Sequence, residues 1–306
     1  MANKLKLTEK QAKQMSLKQW LVNNYINIAS NLFTWNNIDK NFGEQTTSEF
    51  IERGFIFRGS NVCFKDDKVG LLCLPASAHS NLNVLGIPQK YTAIGFNGQT
   101  WNRDSSNAVL MKNNGTYSPD LPMIDYYCER MADCEMAMKV NLNTNKMPFA
   151  LDGDADQLLT MMNMVKQITD NEIAIYRPKA KNKAVISERP ELKRVDLGAE
   201  WLCDKINDTE RDYISKLLTF LGINNIETEK KERLTTGEAT ANMEHIRGNL
   251  ALKLKCRQDA CKKINEMFNI PEDRKLSVEV NEEYILDLQE MLGMQPVNKE
   301  KQEVQE

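Results

Sequence analysis

Three stretches of this 306-residue chain repeat apolar residues at helical spacing for about six turns each, and they constrain the fold more than any other feature. The first runs from about Ser16 to Ile38, with Leu17, Trp20, Leu21, Tyr25, Ile28 and Leu32 on one stripe. The second begins near Pro122, a residue suited to a first helical turn. Ile124, Cys128, Met131, Cys134, Met138 and Leu142 carry it to about Asn143, with the methionines as fillers of a helix–helix seam. The third runs from about Leu197 to Leu221 through Trp201, Ile206, Tyr213, Leu217 and Phe220, before Gly222 offers a left-handed stop. At 1.5 Å per residue, about 25 residues make a rod of roughly 37 Å.

Between these rods the pattern changes. From about Phe42 to Asp120, short strand-like runs (Gly54–Phe57, Val62–Phe64, Val69–Leu74) alternate with Gly, Pro, Asn and Ser. Asn113-Asn114-Gly115 and Ser118-Pro119-Asp120 close this β-rich segment. A strand at Met147–Leu151, a helix at Asp154–Ile168 and a strand at Glu172–Arg177 predict a small βαβ unit. The stretch after it holds Arg177, Lys179, Lys181, Lys183, Arg189, Lys193 and Arg194 against Glu188 and Glu191, a net excess of five positive charges. It reads either as a solvated loop or as a patch facing nucleic acid or an acidic partner. Glu227–Gly237 is dense in charge and poor in large apolar residues, so it belongs on the surface rather than in a core. A helix at Ala241–Phe268, a strand at Lys275–Val280, a helix at Glu282–Leu292 and a polar tail from Gln295 complete the chain. No internal repeat is present.

Charge and composition exclude several functions. Forty Lys and Arg against 43 Asp and Glu give −3, which argues against a tight, polybasic DNA clamp. No apolar run approaches the ~20 residues of a membrane span, and MANKLKLTEKQAKQ lacks the apolar stretch of a secretion signal. The expectation is a soluble chain made in a cytoplasm. Lys4, Lys6, Lys10 and Lys13 form a loose N-terminal basic arm, either a solvated terminus or a phosphate-contacting one.

The seven cysteines (Cys63, Cys73, Cys128, Cys134, Cys203, Cys256, Cys261) show no C-x-x-C spacing and read as reduced, mostly buried apolar residues. Only His79 and His245 are present, and no HExxH, phosphate-binding glycine loop, dinucleotide fingerprint or nucleophile elbow occurs. Asp152-Gly153-Asp154-Ala155-Asp156 is the string nearest to a cation loop, but it lacks the distal Glu and reads better as a turn and helix cap. The expectation is a non-enzyme with no cofactor and no metal.

Two strings are more specific. Thr219-Phe-Leu-Gly-Ile-Asn-Asn-Ile-Glu-Thr-Glu-Lys-Lys-Glu-Arg-Leu-Thr-Thr-Gly-Glu238 and Arg257-Gln-Asp-Ala-Cys-Lys-Lys-Ile-Asn-Glu-Met267 closely resemble one family. It is the head–tail connector, or portal (upper collar) protein, of small short-tailed phages that replicate by protein-primed synthesis. Weaker echoes occur at Leu32-Phe33-Thr34-Trp35-Asn36-Asn37 and at Gln157-Leu158, and length and element order agree.

The resemblance implies an α+β, mainly α, portal fold with long stem helices, a β-rich wing and a small βαβ clip. On this map residues 1–15 are the basic arm, 16–41 a first long helix and 42–120 the β-rich wing segment. Residues 121–145 and 197–222 are stem helices flanking a clip at 146–196. A channel loop at 223–240 precedes C-terminal wing elements at 241–294 and a tail at 295–306. It further implies a podovirus-type ring of about twelve subunits at one capsid vertex, passing double-stranded DNA during packaging and ejection.

Glu227, Glu229, Lys230, Lys231, Glu232 and Arg233 fall where the family has its mobile channel loop. Lys205 resembles a channel-facing stem lysine, and Lys193 and Arg194 stand two or three positions before Asp196, where a second basic ring would fall. Arg177, Lys179, Lys181 and Lys183 become a clip patch for motor, tail or nucleic acid. The implied partners are further copies of the chain, major capsid and scaffolding proteins, a packaging ATPase and lower-collar or tail proteins. The family's arginine-rich arm is a sparse lysine arm here, leaving a packaging RNA open. The alternative is an oligomeric structural adaptor that does not conduct DNA.

Overall fold

The first helix, α1 (Glu9–Ser30), buries Val22, Tyr25, Ile26, Ile28 and Ala29. It stops because the burial period changes: Phe33 and Trp35 are buried while Thr34 and Asn36 are half-buried. Phe33–Asn36 is therefore strand β1, paired antiparallel with Ser277–Val280 in the register Phe33↔Val280 to Asn36↔Ser277. The helix expected to reach Ile38 ends at Ser30, and it begins at Glu9, so Lys10 and Lys13 lie on α1 rather than in an unstructured arm. Trp20, placed on the apolar stripe by spacing, is 63% exposed. The computed structural model describes residues 9–145, 149–152, 191–194, 200–224 and 236–291.

After a short helix α2 (Ile38–Phe42), residues Ser48–Arg58 form α3. This corrects the strand expected at Gly54–Phe57. The Thr47 side chain accepts a hydrogen bond from the Phe50 amide at 3.2 Å, capping the helix start, and Glu49 pairs with Arg53 one turn on. Gly54 is needed inside this helix because a Cβ there would overlap the Asn61 side chain, whose Nδ2 donates to the Ile51 carbonyl at 2.7 Å.

Five strands follow in an antiparallel sheet: β2 (Ser60–Asp66), β3 (Gly70–Leu82), β4 (Pro88–Ile94), β5 (Thr100–Asp104) and β6 (Ala108–Lys112). Their spatial order is β5-β4-β3-β2-β6. Alternation along β2 sends Val62 and Phe64 to a small cluster with Ala76, Tyr91, Ala93 and Ala108, and Cys63 to the main core. The long β3 pairs with β2 over Gly70–Pro75 and with β4 over Ala76–Leu82. A register shift between Ser77 and Ser80 is the kind of bulge that raises twist and lets such a sheet curl.

Helix α4 (Leu121–Asn145) leads to strands β7 (Phe149–Asp152) and β8 (Glu191–Arg194), which pair antiparallel. Helix α5 (Cys203–Leu221), helix α6 (Thr236–Met267), the β1 partner β9 (Ser277–Val280) and helix α7 (Glu282–Met291) complete the described elements. The expected third helix thus starts at Cys203 rather than Leu197, since Glu200–Leu202 are not helical. The fourth starts at Thr236 rather than Ala241. The helix and second strand of the expected βαβ unit, at 154–168 and 172–177, lie outside the described residues.

The chain forms two units. One comprises residues 1–133 and 210–306, the other 134–209. The core of the first gathers α1, α3, α4, α5 and α6 around one face of the sheet, with Ile124, Cys128, Met131, Leu217, Leu218, Leu221 and Ile264 among its buried members. Lys18 of α1 donates to Asp125 at 2.8 Å and Glu129 at 3.1 Å on α4, and the Asp125 bond holds its ammonium above the usual lysine range.

Candidate DNA-channel elements

The sequence places its candidate site on α5, the segment after it, and the β7–β8 region. Helix α5 starts where Asn141 organises the chain: its Nδ2 donates to the Glu200 carbonyl at 2.9 Å, and its Oδ1 accepts from the Leu202 amide at 3.1 Å. Trp201, expected on the buried stripe, is 51% exposed, and its indole donates to Asp204 at 3.0 Å. Lys205 is exposed and its Nζ bonds Glu200 at 2.9 Å. An exposed pair like this is worth about 0–1 kcal/mol, so Lys205 exchanges its partner for another anion at little cost. Exposed charges on α5 balance: Asp204, Asp208 and Asp212 against Lys205, Arg211 and Lys216.

The far end of α5 is buried through Leu217, Leu218 and Leu221. Gly222 takes φ +90°, which a Cβ would strain, and the amides of Gly222 and Ile223 both return to the Leu218 carbonyl at 2.9 Å. A side chain at Gly222 would also press on Leu250 of α6, and Asn249 donates to the Thr219 carbonyl at 3.0 Å. Gln289 of α7 donates to the Asn224 carbonyl at 3.1 Å. Residue 224 is therefore a firm anchor on the entry side of the expected channel loop.

Glu227, Glu229, Lys230, Lys231, Glu232 and Arg233 themselves lie outside the described residues, as do Lys4, Lys6, Arg177, Lys179, Lys181 and Lys183. Lys193 and Arg194 are in β8, opposite Ala150 and Phe149.

Spacing alone missed the strongest electrostatic feature of the first unit. The Arg257 guanidinium, on α6, is buried and forked onto Glu52 of α3, with Nε to Oε1 at 2.8 Å and Nη2 to Oε2 at 2.6 Å. It also donates to the Asn113 carbonyl and side-chain oxygen and to the Lys253 carbonyl, and it stacks over Phe33 at 4.3 Å and Phe55 at 4.6 Å. The Trp35 indole donates to Glu52 Oε1 at 2.9 Å. One turn before, Lys253 pairs with buried Asp120 at 2.8 Å, and Asn113 Nδ2 bonds the other Asp120 oxygen at 2.9 Å. Trp35, Glu52, Arg257, Asn113, Asp120 and Lys253 are thus one satisfied polar chain through the core, holding α6 to β1, α3 and the start of α4. A signal existed: Lys253 and Arg257 share a helical face with Ala260, Cys261 and Ile264, an apolar stripe on which a cation needs a partner.

The cysteines are free, and six are buried. Burial pushes the Cys63 and Cys73 thiols well up, and those of Cys128 and Cys261 to about 12. Among the described residues no group of three His, Cys, Asp or Glu side chains is placed to hold a metal, and no helix is long and apolar enough to cross a membrane.

A family model described as Phage Connector (GP10) matches residues 3–283. The chain belongs to the phage connector family. It is a head–tail connector, or portal protein. The portal and tail structure of bacteriophage P68 is similar at 14% identity and TM-score 0.44, covering 89% of this chain and 91% of that one. The virion of a gene transfer agent particle matches at 10% identity and TM-score 0.48, covering 95% of each chain. An HK97-family phage portal protein from Corynebacterium diphtheriae matches at 10% identity and TM-score 0.44, covering 90% of this connector and 96% of that chain. The connector is α+β and mainly helical, as expected from its sequence.

Proposed function

We propose that this connector assembles as a ring of about twelve copies at one capsid vertex and acts as a passive, non-enzymatic conduit for double-stranded DNA. The observation that carries the reading is the connector-family match over residues 3–283. Residues Glu227–Arg233 form the channel loop, with Lys205, Lys193 and Arg194 as further basic positions along the path. Arg177, Lys179, Lys181 and Lys183 form a clip patch for the packaging ATPase or tail, and Lys4, Lys6, Lys10 and Lys13 the N-terminal basic stretch. The ring is assembled in the host cytoplasm, on capsid and scaffolding proteins, and later receives the lower collar.

Electrostatics supports a conduit over a clamp. Each phosphate neutralised adds a salt slope of about −0.9, so a wall of fixed lysines would hold DNA rather than let it slide. The loop carries three acids, Glu227, Glu229 and Glu232, against Lys230, Lys231 and Arg233, and α5 balances its exposed charges in the same way. Such surfaces touch phosphates in passing without accumulating affinity. Negative-stain images should show rings with a central hole; a monomer at micromolar concentration refutes the ring. Deleting Thr228–Thr236 should preserve rings yet cause leakage of packaged DNA or failed ejection. Normal retention and infectivity would refute the loop assignment.

A further inference from the structure

The β3–β4 hairpin ends in an apolar tip that the described residues leave exposed. Val84 is fully exposed and Leu85 is 77% exposed, flanked by exposed Leu82 and Ile87. The outer part of the hairpin is a bare two-stranded ribbon, because β2 pairs with β3 no further than Pro75 and β5 pairs with β4 no further than Lys90. A ribbon of this kind has little stability of its own in water. Its tip is nevertheless well formed. The Asn83 side chain accepts from the Leu85 and Ile87 amides at 2.9 Å each, and the Asn83 amide donates to the Ile87 carbonyl at 2.9 Å. Val84 and Leu85 are thus presented on a preorganised turn, which lowers the ordering cost of a contact.

The opposite end of β4 borders a shallow apolar groove of about 400 Å³, lined by Phe57, Pro75, Ile94 and Phe96 with Arg53 and Arg58 beside them. Phe96 is 81% exposed and Phe57 45%. Arg53 is engaged by Glu49 and Asn27, whereas Arg58 has no ion pair or hydrogen bond among the described residues. Tip and groove sit at the two ends of one extended strand, about 20 Å apart at ~3.4 Å per residue, so a chain cannot insert its own tip. Two different patches at opposite ends of one element make a head-to-tail contact, the kind that closes into a ring.

We propose that the Val84–Leu85 tip of one connector copy seats in the Phe57–Phe96 groove of the next, with Arg58 donating to the tip's outward carbonyls. The proposal rests on the ring reading and names a contact that would build it. In rings formed by the Val84→Cys/Phe57→Cys double variant, mild oxidation should give a ladder of covalent multimers, absent from either single variant. Wild-type-like rings without a ladder overturn the contact and leave the ring reading intact; absence of rings in the wild type overturns the ring reading itself. A complementation test separates head-to-tail from other geometries. Leu85→Asp disables the tip and Arg58→Asp with Phe57→Ser the groove. Each alone should sediment as folded monomers or small oligomers, and an equimolar mixture as heterodimers with at most one good contact. Full rings from either variant alone, or rings that form but fail only at capsid incorporation, overturn the proposal.

Discussion

Removing the Arg257 guanidinium while keeping its partner tests whether the buried polar chain holds the first unit together. In Arg257→Met, the Glu52 carboxylate stays buried and keeps the Trp35 indole as its described donor, having lost two charge-assisted bonds at 2.6 and 2.8 Å. Stranding one partner of a buried pair costs about 3–5 kcal/mol, and the upper part of that range applies because Asn113 also loses its donors. Glu52→Gln should cost less, roughly 2–3 kcal/mol. The amide still accepts from Trp35, and Arg257 keeps Asn113, the Lys253 carbonyl and two aromatic faces. In the Glu52→Gln/Arg257→Met double variant no buried charge is stranded. The two losses should then fall short of additive by about 2–3 kcal/mol. Urea unfolding at fixed protein concentration, followed by tryptophan fluorescence, reads this directly, and ~4 kcal/mol at a slope of roughly 3 kcal/mol/M shifts the midpoint by more than ~1 M. Single-variant losses under ~1 kcal/mol, or strictly additive losses, would refute the view that the pair acts as a unit.

Three further outcomes are expected. In native protein at pH 8, Cys203 should react with a thiol reagent well ahead of Cys63, Cys73, Cys128 and Cys261, whose burial raises their pKa; fast labelling of Cys63 or Cys73 would contradict their placement. The Asp66 carboxyl is held below its ordinary value of 3.8, first by the Lys68 amide and then by the Trp101 indole, the Val69 amide and Arg103. A depressed pKa contributes stability above the unfolded value that is lost as pH falls through the folded one. Asp66→Asn should therefore flatten the acid limb of a stability–pH curve below about pH 4, and an unchanged limb would count against these bonds. Gly222→Ala should cost roughly 1–3 kcal/mol from its positive φ and its approach to Leu250, measurable by the same urea titration, and a neutral effect would mean this joint relaxes freely.

The long helices were legible because their apolar faces recur within a single turn or two of sequence. Strand β1 was not, because Phe33 and Trp35 become a strand only through Val280 and Val278, about 240 residues away. Gly54–Phe57 looked extended because four consecutive residues carry no helical period, and the signals that decide the matter, the Thr47 cap and the Glu49–Arg53 pair, lie outside the run. Trp20 and Trp201 sit at stripe positions yet face solvent, since spacing fixes a side of a helix without saying what covers it. For the candidate site, the C-terminal motif located α5 and α6, but the Arg257–Glu52 pairing joins charges 205 residues apart and could only be guessed from a cation on an apolar stripe.

The β1–β9 ladder also bears on how the connector is made. Its two strands leave the ribosome about 240 residues apart. At roughly 5–20 residues per second, Phe33 and Trp35 wait on the order of 10–50 s for the strand that covers them. Until then the first unit lacks its closing seam, whereas Lys253 and Arg257 precede β9 in the chain and can pair with Asp120 and Glu52 before it arrives. Completion of the subunit is thus tied to the arrival of β9, which can pair with β1 only after nearly the whole chain has been made.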